Sequence, residues 1–133
     1  GYTFAPANVD ERDVAPEITQ DIQGLLGGDK GYLRPELKHY FMYQDIDLQT
    51  PYRKNMTDSR SKEAMARLMN ARRKIETVIG QLTERFHIQK VRAKDFWHLT
   101  HRITRKILSH TIAVILNTRL GNPPLQLESL IQS

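Results

Sequence analysis

The sequence predicts an α/β fold, and three observations carry that expectation. Strand-like segments at Tyr2 to Ala5, Leu25-Leu26 and Ile46 to Pro51 alternate with helical patterns, giving the order strand, helix, strand, helix, strand. Such alternation favours parallel neighbours joined by helical crossovers. Glycines cluster directly after Leu25-Leu26, at Gly27, Gly28 and Gly31, where a strand must turn into a helix. Two long amphipathic patterns then fill the rest of the chain.

Each element has its own local reason. Tyr2 to Ala5 reads as the tail of a strand that Pro6-Ala-Asn8 breaks. Asp10 is placed to cap a helix of about three turns through Ile18 and Ile22, ending at Gly24. Leu25 and Leu26 form a short buried strand, closed by the turn Gly27 to Tyr32. Pro35 starts a second helix with Leu37, Tyr40 and Phe41 on one face, and Ile46 to Pro51 is the next strand. A basic loop, Tyr52 to Arg60, leads to a helix capped by Ser61 and running to about Phe86. The last helix, about Lys94 to Leu120, stops at Gly121, Pro123 and Pro124. Its apolar patch Ile112 to Leu116 predicts burial on most sides, and Leu127 and Leu130 predict a packed tail.

Composition narrows the function. A chain of 133 residues supports one domain with a real core. Without cysteine there is neither a disulfide framework nor a thiolate metal site. The longest apolar run is too short for a membrane span and residues 1–10 have no signal-peptide shape, so the expectation is a cytoplasmic protein with no membrane partner. Beginning at Gly1 suggests a piece of a longer protein. The net charge of +5 is uneven: residues 1–50 carry four basic and nine acidic side chains, and residues 51–133 carry sixteen and six. A basic half of this kind points to a polyanion, usually nucleic acid, with a solvated basic face as the bland alternative.

The sharpest signal is Glu76. On a helical wheel with Met65 at zero, Met65, Leu68, Met69, Ile75, Ile79, Leu82 and Phe86 fill an arc from about 260° to about 40°, and Arg72 and Glu76 fall inside it. A core-facing carboxylate is costly unless paired or holding a metal. Arg72 and Glu76, four apart, could simply pair on the helix edge. Asp29 follows a buried strand, where ligands of open α/β sheets bind, so Asp29 and Glu76 could converge on a hard cation such as Mg²⁺ or Mn²⁺. Gly80 and Thr83 leave room for an ion or phosphate on that face. His98 and His101 share a helix face but have no evident third ligand. Phe96 and Trp97 read as packing residues. Packing is also the better expectation than base stacking for Tyr32, Tyr40, Tyr43 and Tyr52.

Three blocks in order, Gly28-Asp-Lys-Gly-Tyr32, Asp47-Leu-Gln-Thr-Pro-Tyr-Arg-Lys-Asn-Met56 and Arg72-Arg-Lys-Ile-Glu-Thr-Val78, resemble the C-terminal half of a DDE transposase encoded by a bacterial insertion sequence. The resemblance extends to Ala5-Pro-Ala-Asn8 and Leu120-Gly-Asn-Pro-Pro-Leu125. It implies an RNase H-like fold, N-terminally incomplete with the first strands absent, and a long C-terminal helix. Residues 1–90 would be the partial catalytic domain, and 91–133 its last helix and tail.

The resemblance also implies two metal ions held by three carboxylates, with Asp29 and Glu76 as the second and third, acting on transposon-end and target DNA. Arg72 and Arg73 would contact phosphate, and Lys30, Arg53 and Lys54 the DNA backbone. Met69 and Thr83 stand where a related pattern has Tyr and Lys, so those roles stay unassigned. The first catalytic Asp is missing; Asp10, Asp13 and Asp21 are poor substitutes, and Asp10 reads as a cap. The chain alone is therefore expected not to cut DNA, and an unpaired sheet edge near residues 1–5 to favour self-association into a homo-oligomer. The rival from another class is a non-catalytic DNA-binding or protein-interaction module derived from a transposase.

Overall fold

The computed structural model describes residues 1–52, 55 and 57–130, which divide into two compact units, 1–72 and 73–133. The first unit is mixed helix and sheet, in keeping with an α/β domain. Helix α1 (Glu11–Ile18) is capped by the Asp10 carboxylate, which accepts from the Arg12 amide at 2.9 Å. It has two turns instead of the expected three. The Thr19 hydroxyl donates to the carbonyls of Ala15 (2.9 Å) and Pro16 (3.2 Å), so the last turn is closed from the side chain and the chain leaves the helix there. Residues 2–5 form no strand, and Tyr2 instead meets Phe4 edge-on at 5.8 Å. No third strand is present among the described residues to pair with that segment.

Strands β1 (Gly24–Gly27) and β2 (Ile46–Gln49) pair in parallel, Gly24 opposite Ile46 and Gly27 opposite Gln49. Helix α2 (Pro35–Met42) makes the crossover that parallel strands require. Ala15, Leu37, Phe41, Ile46 and Leu48 are the core, with Leu26 and Tyr32 packed against it. Within α2, Leu37 and Phe41 are four apart and point inward, while Tyr40 is exposed and Tyr43, just beyond the helix, is 93% exposed. The packing expectation therefore fails for those two tyrosines.

Helix α3 (Lys62–Glu84) begins where expected, the Ser61 hydroxyl accepting from the Ala64 amide at 3.2 Å. In the second unit, α4 (Phe96–Arg119) is capped by Asp95 and followed by Gly121 at φ 77°, a left-handed position suited to glycine. The tail packs as expected: Leu127, in a short 3₁₀ turn (Leu127–Leu130), is buried. Asn117 holds it, its amide nitrogen donating to the carbonyls of Gln126 (2.9 Å) and Pro124 (3.3 Å). Two expectations for α4 are overturned. Ile112, Ile115 and Leu116 are nearly half exposed, and Phe96 and Trp97 are about two-thirds exposed. Burial on α4 follows the face carrying His110 and Asn117 rather than the local density of apolar residues. Among the described residues no helix is long and apolar enough to cross a membrane.

His110 lies in this unit against Phe86, and its Nε2 meets Gln81 Oε1 at 2.8 Å; the Gln81 amide nitrogen in turn donates to the Leu125 carbonyl. Burial holds its imidazole below the ordinary value of 6.5. The folded chain thus takes up this proton less readily than the unfolded one, and the contribution is complete above 6.5 and lost as the pH falls below it. The thermal midpoint is expected to drop between about pH 7.5 and about pH 5.5, and His110→Gln to flatten that drop. An identical slope in the variant would remove His110 as its source.

Candidate active site

Asp29 sits one residue past Gly28, at the carboxyl end of β1. The parallel ladder continues to this point, the Gly28 amide donating to the Gln49 carbonyl at 2.9 Å. A Cβ on Gly28 would stand 3.3 Å from side-chain carbons of Leu48, Thr50 and Tyr32, a tight fit that would push those neighbours back by a few tenths of an ångström. Asp29 itself is exposed; one carboxylate oxygen accepts from the Lys30 amide at 2.6 Å, capping a 3₁₀ turn (Lys30–Tyr32). Lys30 is exposed beside it. Tyr32 closes the turn with its hydroxyl toward Glu11 at 3.4 Å; burial, then the Glu11 charge, raises its pKa. A cavity of about 430 Å³ opens at this carboxyl-terminal edge of the sheet, lined by Tyr32, Arg34, Lys38, Gln49, Thr50 and Tyr52. That edge is where open α/β sheets bind ligands.

Arg60 ties the basic loop to β2. Its guanidinium donates to Gln49 Oε1 (2.9 Å), pairs with Asp58 (2.7 Å) and lies 4.2 Å from the Tyr52 ring centre. Hydrogen bonding from Arg60 lowers the Asp58 pKa. Arg53 and Lys54 lie outside the described residues. Asp10 is occupied as a cap and is paired with Arg12, whose hydrogen bonds hold its carboxyl well below the usual range. Asp13 pairs with Arg34 at 3.1 Å.

Arg72 ends the first unit, and Arg73 and Glu76 open the second; all three are exposed on α3. The core-facing expectation for Glu76 is therefore corrected. Along the apolar arc Leu68 is buried and Met65, Leu82 and Phe86 are half-buried, while Met69, Ile75 and Ile79 beside Glu76 are exposed. Glu76 thus carries no core desolvation cost. A Cβ on Gly80 would meet nothing within 4 Å, in keeping with open space on the helix.

Carboxylate oxygens suit a hard divalent cation, so Asp29 and Glu76 fit one chemically. Among the described residues no three His, Cys, Asp or Glu side chains gather into a metal cluster, so the fit is that of a partial donor set. His98 binds the Asp95 carboxylate at 2.7 Å, and the Trp97 ring packs edge-on against His98 and His101. A group of cations gathers in the second unit around Arg102, Arg105 and Lys106, which the helical pattern sets off the apolar face of α4. Their i, i+3, i+4 spacing was the available signal.

The chain matches a family model described as a transposase DDE domain over residues 1–96. No curated protein and no solved structure matches it. With well over half of its length covered, the chain belongs to the transposase DDE domain family.

Proposed function

We propose that this chain supplies the second and third acidic residues, Asp29 and Glu76, of an RNase H-like DDE active site that cuts DNA and joins it to a target. The observation that carries the reading is Asp29 exposed at the carboxyl end of a parallel strand, in a chain of this family. Mg²⁺ or Mn²⁺, when bound, activates the attacking water or 3′-hydroxyl and offsets charge on the phosphate. The rest is done by side chains and backbone. The Lys30 amide orients the Asp29 carboxylate, and the exposed Lys30 ammonium adds positive charge for the DNA backbone. Arg72 and Arg73, one helical turn before Glu76, offer guanidinium forks to a phosphate, and Arg53 and Lys54 add further backbone contacts.

Direct Mn²⁺ titration by electron paramagnetic resonance tests the assignment. Asp29→Asn and Glu76→Gln are each expected to weaken Mn²⁺ at least about tenfold, since even outer-shell losses cost that much. Affinity unchanged in both would overturn it. With only two of three carboxylates, the 133-residue chain is expected to leave supercoiled plasmid intact in Mg²⁺; nicking that disappears in Glu76→Gln would show a complete site instead. The second reading, a non-catalytic DNA-binding module, is favoured by the second unit's ten basic against four acidic side chains, and it predicts that neither carboxylate affects Mn²⁺.

A further inference from the structure

The second unit carries a cationic cleft whose lining does not include Glu76. It is a cavity of about 600 Å³ between the segment after α3 and the first half of α4, and its lining includes Arg85, Lys90, Arg92, Arg102, Arg105 and Lys106. Among the described residues no acidic side chain lines it. Arg85 is already engaged by Glu128, and the Asp95 carboxylate is used by His98 as the α4 cap. Two cations brace the cleft: Arg102 donates to the Arg92 carbonyl and Lys106 to the Phe86 carbonyl, pinning the connecting segment to α4. Lys90, Arg92 and Arg105 are exposed on its rim.

We propose that this cleft binds the phosphate backbone of DNA. Arg102, Arg105, Lys106 and Ser109 fall at i, i+3, i+4 and i+7, one helical face about 10 Å long. One DNA strand advances about 3.4 Å per phosphate along the duplex axis, so this face spans about three phosphates. Guanidinium forks match phosphate oxygens bidentately, while the Ser109 hydroxyl is turned back to donate to the Arg105 carbonyl at 2.8 Å. The cations are also fixed in place before binding: carbonyls hold Arg102 and Lys106, which lowers the ordering cost that a solvated basic surface would incur. The cleft's α4 wall, from Arg102 to Ser109, lies beyond the matched residues 1–96. The choice of nucleic acid as the polyanion rests on the reading of the chain as one that acts on DNA.

The test is binding of a fluorescent 20-base-pair duplex to the full 133-residue chain in EDTA, measured by anisotropy across a salt series. The variant combines Lys90→Gln, Arg92→Gln and Arg105→Gln, which spares the two bracing cations. A control of equal charge change combines Lys62→Gln, Arg67→Gln and Arg119→Gln, all exposed and outside both cavities. The cleft variant is expected to flatten the slope of log affinity against log salt by about one unit per residue removed, and the control to leave it nearly unchanged. Equal flattening in both would overturn the cleft in favour of diffuse attraction. Polyglutamate binding with the same cleft dependence, and no DNA binding by the parent chain, would overturn nucleic acid as the ligand. A thermal midpoint shared by parent and variant establishes that the fold is intact. Because EDTA removes the metal, this assay stands or falls separately from the Mn²⁺ titration of Asp29 and Glu76.

Discussion

Replacing Phe41 with alanine is expected to destabilise the first unit by about 3–5 kcal/mol, the largest single effect in the chain. Phe41 is fully buried and sits in one cluster with Ala15, Leu37, Ile46 and Leu48. Removing the ring loses its transfer free energy and leaves a cavity that α2 and a two-stranded sheet can only partly close. The consequence reaches the site. Leu48 of β2 packs against Gly28, directly before Asp29, so a loosened β2 frees the turn that Asp29 caps. Urea unfolding followed by tyrosine fluorescence checks the stability loss. A change below about 1 kcal/mol would mean that this core is not what holds β2 in place.

Asn117→Ala is expected to have the next largest effect, about 1–3 kcal/mol on the second unit. Asn117 is fully buried, and its amide satisfies the carbonyls of Pro124 and Gln126. Alanine leaves both acceptors without that donor, and the backbone after Gly121 loses its main tie to α4. The buried Asn117 Oδ1 has no partner among the described residues, so its removal offsets part of the loss. Limited proteolysis should then cut first within residues 121–130, and the thermal midpoint of the unit should fall. Unchanged protection of that segment would show that Leu127 burial alone suffices to hold it.

Local signals in the sequence are strong wherever one residue decides the backbone. Asp10 and Ser61 cap helices as their side chains predict, Pro35 opens α2, and Gly121 closes α4. The strands were legible because Leu25-Leu26 is a short apolar pair between glycines and Ile46 to Gln49 alternates apolar with polar residues. Asp29 was legible for the same reason: its place after a strand is a matter of chain order.

On the two long helices burial was not legible. The arc of α3 predicted Glu76 against a core, yet Met69, Ile75 and Ile79 beside it are exposed. Periodicity marks the face of a helix that could be buried, and whether anything covers it is a non-local fact. The same holds for Ile112 to Leu116, Phe96 and Trp97, apolar by composition but not covered among the described residues. Conversely, Asn117 and His110 are polar residues that the tertiary arrangement buries because the tail and Gln81 supply their hydrogen bonds. The sequence by itself determined where the backbone starts, stops and turns, and which carboxylate follows a strand. Only the tertiary structure decided which faces leave water and which cations share a cleft, because both depend on what distant segments bring alongside.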